Sequence, residues 1–216
     1  MKTYNLNAQP RTDLGKKATK ALREQEMIPV VLNGGKIVEL PFNGTLAEGE
    51  KLVELNKDGK KGVIVTDLSV KVEDVRKLIY TPDVFVIELN VNGNVKKTIL
   101  KDLQFHPVTD KVLHIDLLEV YEDKPVVVEV PVKLEGHAAG VRAGGKLQLS
   151  MKKLKVKAIY SAIPERVVIN IDDIQLGQSL QVRDLHYDNF EIVNSPVAVV
   201  CAVQMTRAAR GAAAAE

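Results

Sequence analysis

The chain has 216 residues and a formal net charge of +2, and its 45% hydrophobic and 27% charged residues are typical of a globular protein with one large core or two smaller ones. Its single cysteine, Cys201, lies in an apolar run, so a disulfide framework is excluded and a reducing, cytoplasmic setting is expected. Neither a membrane helix nor a signal peptide is predicted, because no apolar stretch approaches the roughly 18–20 residues that a membrane helix needs.

The amino-terminal segment is the most basic part of the chain, with six basic and two acidic side chains in residues 1–25. Weak alternation predicts a strand over Thr3–Gln9, and a helix is predicted over Leu14–Gln25 with Asp13 as its N-cap. At about 100° per residue, one face of this helix collects cations and the opposite face collects apolar residues. The cationic arc contains Lys16, Lys20 and Arg23, and the face expected to pack on a core contains Leu14, Ala18, Ala21 and Leu22.

Strand signals dominate the rest of the first half. Pro29 is expected to end the helix before a short strand at Val30–Leu32, whereas residues 36–62 have no clear pattern beyond the turn signals Asn43-Gly44 and Asp58-Gly59. The remaining predicted elements are a short helix over Glu73–Tyr80, a strand over Val84–Val91, a two-residue turn at Asn92-Gly93, a returning strand over Val95–Leu100 and a third strand through Val112–Val120.

The second half has a different pattern, which predicts a domain boundary near residues 122–125. Valines alternate with mostly polar residues over 126–134, and helical periodicity is scarce, so a nearly all-β domain is expected. Further strands are predicted at Lys146–Ser150, Leu154–Tyr160, Val167–Ile171 and Ser195–Val203. The predicted fold is mainly β with a few helices (α+β), with a first domain over 1–122, an all-β second domain over 123–205 and a disordered, alanine-rich tail over 206–216.

The basic helix is the first feature that suggests a function. A face bearing Lys16, Lys20 and Arg23, flanked by Arg11 and Lys17, suits phosphate contacts because each cation can displace condensed counterions from a nucleic acid. A solvated surface helix has the same pattern, and residue chemistry alone leaves both interpretations open.

A second constellation comprises His106, His114 and Asp116. On a strand, His114 and Asp116 point to one face, and with His106 they resemble a two-histidine, one-carboxylate iron site. In that arrangement the lone histidine usually lies far downstream, whereas His106 lies upstream, and His137 and His186 both fall in the second domain. Structural or RNA-contacting side chains are therefore favoured, with a metal-dependent β-barrel enzyme as an alternative.

The segment Gly140–Leu147 nearly matches a phosphate-binding P-loop. Leu147 has no hydroxyl to hold magnesium, and Gln148–Met151 looks like a strand rather than a phosphate-facing helix, so a glycine-rich strand connection is predicted. No nucleophile with its base and no cysteine-rich metal site is present in the sequence. Neither enzymatic activity, nor a cofactor, nor a small-molecule substrate is expected.

Taken together, several stretches resemble one family. They are Arg11-x-x-x-Gly15-Lys16-Lys17-Ala18-Thr19-Lys20-x-Leu22-Arg23, then Ile28-Pro29-Val30-Val31-x-x-Gly34-Gly35, and Lys101-Asp102-x-Gln104-x-His106-Pro107 with His114-Ile115-Asp116. The family is the bacterial large-subunit ribosomal protein that binds 5S ribosomal RNA. Its long, two-domain form is also known as the general stress protein Ctc. The extra domain of that form is similar to the second half here, at Val128–Val132, Gly136–Gly145, Ile163-Pro164 and Leu180–Leu185.

This resemblance implies a first domain built as a small β-barrel that grips an irregular region of the RNA from its minor-groove side, with neighbouring large-subunit proteins and ribosomal RNA as further partners. Carried over by position, Arg11, Lys16, Lys20 and Arg23 would meet phosphates, with Lys17 beside them, and Thr19 could donate a hydroxyl hydrogen bond. The uncharged or acidic Gln104, His114 and Asp116 would approach base edges or riboses. Asn33 and Lys101 occupy two further positions of the implied surface.

The chain departs from the family pattern at several of these positions. Asn33 stands where a Tyr is frequent, Lys101 where a Gln is frequent, Ala21 where an Arg is frequent and Phe105 where a basic residue is common. Glu26-Met27 replaces a frequent glycine-basic pair, and residues 36–62 are longer than the family pattern. A stress-related interaction protein that is not permanently on the ribosome, as the long form's name implies, is a further alternative.

Overall fold

The computed structural model describes residues 2–35, 37–39, 45–54 and 61–206. They form two compact units, which divide between Lys124 and Pro125. The prediction of a mainly β protein with a few helices is confirmed. The turn signals Asn43-Gly44 and Asp58-Gly59 lie outside the described residues, as does the predicted tail apart from Thr206.

The first unit contains eight strands and two helices among its described residues. They are β1 (Lys2–Pro10), α1 (Lys16–Glu24), β2 (Met27–Asn33), β3 (Ile37–Glu39), β4 (Glu50–Glu54), β5 (Lys61–Lys71), α2 (Val72–Ile79), β6 (Phe85–Val91), β7 (Asn94–Phe105) and β8 (Val112–Glu119). The predicted strands near the amino terminus and over 84–120 and the predicted second helix are all present. The returning strand β7 extends to Phe105, well beyond its predicted end at Leu100, and the other ends shift little.

Six strands of the first unit close into a barrel. Their order is β1-β6-β7-β8-β2-β5, and the ring closes where β5 pairs with β1, with Gln9 opposite Ser69 and Pro10 opposite Leu68. The β1–β6 and β2–β8 pairs are parallel, and the other pairs are antiparallel. The short strands β3 and β4 extend the sheet along the first half of β5. Closure leaves the six barrel strands with few unpaired edges.

Strand alternation produces the core of this barrel. On β8, Ile115 and Leu117 are buried while His114 and Asp116 point away from the core, because successive strand residues face opposite sides. The core cluster consists of Leu6, Ala8, Ile28, Val30, Leu32, Leu68, Val70, Val75, Leu78, Ile87, Leu89, Ile115 and Leu117. Among the described residues, Thr98 is the one polar side chain that is completely buried, and it donates its hydroxyl hydrogen to the carbonyl oxygen of Ile87 at 3.1 Å.

The predicted two-residue turn between β6 and β7 is confirmed. Asn92 and Gly93 have φ values of 50° and 88°, which both lie in the left-handed region that such turns require. The side-chain oxygen of Asn90 accepts a hydrogen bond from the Gly93 amide at 3.0 Å. The turn sets the pairing of Val91 with Asn94 and hence the register of the hairpin.

The predicted start of the first helix was wrong. Helix α1 begins at Lys16, and its N-cap is Gly15, whose φ of 105° and ψ of 176° favour glycine, so Asp13 does not cap it. None of the helix residues is buried, and Leu14 is 46% exposed just before the helix. The apolar face predicted for this helix is therefore not buried in the core. The helix has only nine residues and packs chiefly against β2.

Pro29 also differs from its predicted role. The helix ends at Glu24, and Pro29 lies inside β2, where it is buried and paired with Ser69 of β5. The register with β8 on the other side of β2 begins one residue later, at Val30. A proline is tolerated at this point because the β8 ladder has not yet started.

Glu26, just after α1, has a left-handed backbone with φ of 57°. Glu26→Gly is expected to raise the free energy of unfolding by up to about 1 kcal/mol, because a Cβ is disfavoured there and glycine is the residue preferred after a helix. Urea denaturation followed by circular dichroism measures the change. Gln25→Gly is the matched control, since Gln25 has φ of −87° and should gain nothing. A Glu26→Gly variant no more stable than the unchanged protein would contradict this assignment of strain.

The second unit is nearly all β over its described residues, as predicted. It contains β9 (Val126–Glu135), α3 (Ala139–Arg142), β10 (Lys146–Leu149), β11 (Lys153–Ala158), β12 (Val167–Asn170), β13 (Ser179–Gln181), β14 (Glu191–Ile192) and β15 (Val199–Gln204). One sheet has the order β12-β9-β11-β14 and another has the order β10-β15-β13. The last predicted strand begins later than expected, because Ser195–Ala198 form a turn closed by a 3.0 Å bond from the Ala198 amide to the Ser195 carbonyl.

The glycine-rich segment Gly140–Leu147 contains most of α3, a short turn over residues 143–145 and the start of β10, so it leads into a strand as predicted and is not a P-loop. Lys146 is the first residue of β10 and pairs with Gln204, so it does not open a phosphate-facing helix. Cys201 lies fully buried in β15, as predicted, and burial raises the pKa of its thiol.

Candidate RNA-binding surface

Strand pairing assembles polar side chains from distant parts of the chain on one side of the barrel. Asp102 of β7 lies opposite Asp116 of β8, Asp116 lies opposite Val31 of β2, and Val31 lies opposite Asp67 of β5. Residues paired directly across neighbouring strands point to the same side of a sheet. This side faces away from the core, and we call it the outer face; its residues are Val31, Asn33, Asp67, Asp102, Gln104, His114 and Asp116.

His114 lies on the outer face two residues before Asp116 on β8. Its Nδ1 lies 3.3 Å from Oδ1 of Asp116, and Gln104 is directly opposite His114 on β7. The side chains of His114 and Asp116 are 24% and 27% exposed, so they are partly sheltered yet open to a ligand. The prediction that His114 and Asp116 share one face is confirmed, and Gln104 joins them there.

Two irregular points of β7 border this group. Lys101 is the extra residue where the register with β8 shifts between Leu100 and Asp102, and a second shift lies between Gln104 and Phe105. Both Lys101 and Phe105 are exposed, and Phe105 is 44% exposed. Asn33 is the last residue of β2 and pairs with Leu118 of β8. Asn33 therefore lies on the outer face, and Lys101 and Phe105 lie beside it on β7.

The cations of α1 are available to a partner. Lys16, Lys17 and Lys20 are exposed and form no ion pair or hydrogen bond with the described part of the chain. Arg23 differs, because its Nε and Nη2 donate to the carbonyl oxygen of Leu113 at 3.2 and 2.8 Å. Since Leu113 immediately precedes His114, Arg23 ties the basic helix to the outer face.

Arg11 makes a second attachment of this helix. Its Nη2 donates to the hydroxyl oxygen of Thr19 at 3.3 Å, and its Nε donates to the carbonyl oxygen of Asp13 at 3.1 Å. The Thr19 hydroxyl donates its own hydrogen to the carbonyl oxygen of Gly15 at 2.8 Å. In this structure Thr19 thus helps to hold Arg11 against α1, and its donor hydrogen is used within the helix.

His106 has a local structural contact. Its Nδ1 accepts hydrogen bonds from the backbone amides of Val108 and Thr109, each at 3.2 Å, in the turn between β7 and β8. Within the described ranges, no group of three His, Cys, Asp or Glu side chains is placed to hold a metal ion. The metal site considered from the sequence, with His106, His114 and Asp116 as ligands, gains no geometric support.

Asp67 and its neighbour Lys51 were missed by the sequence reasoning. Lys51 of β4 forms an ion pair with Oδ2 of Asp67, on the outer face. No local pattern identified β4, and the register that brings Asp67 beside Val31 depends on pairing between distant strands.

The described residues include no helix long and apolar enough to cross a membrane.

The closed barrel carries a helix with exposed cations beside a polar strand face, and such a basic patch is the electrostatic pattern of the nucleic-acid-binding class of proteins. The Ribosomal L25p family model matches residues 6–69 and 57–117, and the model of the C-terminal domain of ribosomal protein TL5 matches residues 125–207. The chain belongs to the L25p family of ribosomal proteins, in its two-domain form.

Of three similar relatives, two match nearly the whole chain and the third matches 71% of it. A protein from Porphyromonas gingivalis, named large ribosomal subunit protein bL25, is 50% identical over 214 residues, which are 99% of this chain and 98% of that protein. The protein of the same name from Phocaeicola vulgatus is 47% identical over 214 residues, with the same coverage. The one from Bacteroides fragilis is 53% identical over 154 residues, which are 71% of this chain and 79% of that protein. This family is not one of enzymes, as the sequence predicted.

Proposed function

We propose that this protein is a structural component of the large ribosomal subunit that binds 5S rRNA through α1 and the outer face of the barrel. The relatives are named as large-subunit proteins, which supports the ribosomal setting. The observation that carries the RNA-binding assignment is the attachment of α1 to the strand bearing His114, through the two hydrogen bonds from Arg23 to the Leu113 carbonyl.

The two parts of this surface suit different groups of an RNA. Lys16, Lys17 and Lys20 are free cations that can meet phosphates, where each contact releases condensed counterions. Gln104, His114 and Asp116 offer neutral or acidic hydrogen-bonding groups, which suit ribose hydroxyls and base edges rather than phosphates. RNA with an opened minor groove presents both kinds of group side by side.

The two arginines position the surface and also remain able to bind. A guanidinium has five N–H donors, and Arg23 uses two of its groups on one carbonyl oxygen, which leaves donors for a phosphate. Arg11 likewise uses Nε and one terminal nitrogen within the chain. Because hydrogen bonds hold both ends of α1, the helix backbone is already ordered before binding. Less conformational entropy of the backbone is then lost when its lysines bind RNA.

The double variant Lys16→Ala/Lys20→Ala is expected to bind 5S rRNA at least about tenfold more weakly, and the slope of log K against log salt should fall by about one unit for each lost phosphate contact. The measurement is a filter-binding or fluorescence titration of 5S rRNA at several salt concentrations. The reason is that neither lysine has a partner in the described chain, so their removal changes charge without breaking a packing contact.

Lys77→Ala is the matched control for that experiment. Lys77 is an exposed lysine in the last turn of α2, the other helix of the same barrel, and α2 contributes none of the residues that define the outer face. Affinity and slope should stay near those of the unchanged protein in this variant. If Lys16→Ala/Lys20→Ala and Lys77→Ala bind alike, α1 is not the phosphate-binding element.

A further inference from the structure

The short strands β3 and β4 enlarge the barrel sheet in the region that the sequence left unassigned. In β4, Lys51 lies opposite Val65 of β5, and Leu52 lies opposite Ile64. Val65 and Asp67 are two residues apart on β5 and therefore point to the same side, which is the outer face. The side chain of Lys51 therefore points to the same side as the outer face, on the strand next to β5.

An ion pair fixes Lys51 in this position. Its ammonium contacts Oδ2 of Asp67, whose side chain is only 13% exposed, whereas the Lys51 side chain is 47% exposed. The carboxylate is thus sheltered and holds the lysine, while the ammonium remains open to solvent. An ammonium has three N–H donors, so two remain for another acceptor after Asp67 has taken one.

Backbone contacts place this pair beside Arg11. The Arg11 amide donates to the carbonyl oxygen of Asp67 at 2.9 Å, and the Asp67 amide donates to the carbonyl oxygen of Gly49 at 2.8 Å. Gly49 has φ of 80°, and a Cβ there would lie 2.8 Å from the Asp67 oxygen, so glycine allows this close approach. The end of β1, the start of β4 and the middle of β5 therefore meet at Asp67.

We propose that Lys51 is an additional RNA-binding residue, which donates to a backbone oxygen of the RNA, either a phosphate oxygen or a ribose hydroxyl, next to Arg11. This inference rests on the proposed function, because it extends the same surface across β4. With β4 included, the outer face spans five strands. Neighbouring strands lie about 4.8 Å apart, so β4 widens the surface by about that distance. Lys51 lies on the same side as Asn33 of β2, with only β5 between their strands.

The competing role for Lys51 is neutralisation of Asp67 alone. Removal of Lys51 by itself would leave a sheltered carboxylate unpaired and could weaken the fold, so it cannot separate the two roles. The informative comparison is Asp67→Asn against Lys51→Ala/Asp67→Asn, because neither variant has a charged carboxylate that needs a partner. Urea denaturation of both variants establishes that they are equally folded at the temperature of the binding measurement.

The full chain of each variant is titrated with 5S rRNA over a range of salt concentrations. We expect Lys51→Ala/Asp67→Asn to bind about fivefold more weakly than Asp67→Asn. A salt slope lower by about one unit identifies a phosphate, whereas an unchanged slope with the same loss identifies a ribose hydroxyl. Equal affinities of the two variants would overturn the proposal for Lys51. Absence of 5S rRNA binding by the unchanged protein would instead refute the proposed function itself.

Discussion

Leu117→Ala is expected to lower the free energy of unfolding of the first unit by about 3–4 kcal/mol, which is a large fraction of the stability of a typical domain. Leu117 is completely buried, in the core cluster, and lies one residue from Asp116 on the same strand. Truncation removes its transfer free energy and leaves a cavity that the closed barrel can fill only in part.

The matched control is Leu118→Ala, on the next residue of β8. Leu118 is only partly buried and points to the side of the outer face, so its truncation should cost less, about 1–2 kcal/mol. Urea denaturation midpoints of the two variants measure the difference. Equal midpoints would mean that the inward and outward sides of β8 are assigned incorrectly, and with them the position of His114 and Asp116.

Gly140→Ala is expected to destabilise the second unit by about 2–3 kcal/mol, at the upper end of the usual cost of overpacking. A Cβ at this position would lie 2.5 Å from the backbone nitrogen of Leu176 and 2.6 Å from the backbone carbon of Gln175. Backbone atoms cannot swing aside as the end of a side chain can, so the whole connection between α3 and β10 must shift. The same shift would disturb two backbone hydrogen bonds, both 2.9 Å long. They run from the Gly140 amide to the Ile174 carbonyl and from the Gly145 amide to the Gly140 carbonyl.

Hydrogen exchange measured by mass spectrometry tests this prediction unit by unit. Protection should fall in residues 125–206 of Gly140→Ala and remain unchanged in the barrel, because Gly140, Gln175 and Leu176 all belong to the second unit. Ala139→Gly is the control, since Ala139 is exposed in the same short helix and its change should cost at most about 1 kcal/mol. Unaltered protection in Gly140→Ala would contradict the close contact with Gln175 and Leu176.

Local patterns were sufficient for elements whose residues interact mainly with near neighbours. The Asn92-Gly93 turn was predicted because its two left-handed residues are a local requirement, and the second helix was predicted from a short run of helix-forming residues. The start of α1 was missed because the conformation of Gly15 depends on how Arg11, Asp13 and Thr19 are tied together, which no single-residue preference describes.

The individual site residues were easier to predict than the surface that they form. The resemblance to the family named the candidates from Arg11 to Asp116, and their assignment to RNA stays a prediction. Sequence reasoning did not anticipate that Arg23 would bind the Leu113 carbonyl or that Thr19 would donate to Gly15. The Arg23 contact joins α1 to a strand 90 positions away, and such a pairing leaves no periodic signal. The Thr19 contact spans only four residues, but the sequence does not show which acceptor the hydroxyl takes.

By itself, the sequence determined that His114 and Asp116 share one face of a strand, the position of the tight turn, the basic character of α1 and the family. Only the tertiary structure decided that Asp102, Asp116, Val31 and Asp67 form one row across four strands, with Lys51 beside its last member. The physical reason is that alternation along a strand is a local property of the backbone, whereas register between strands, and closure of β5 on β1, depend on packing of the whole core.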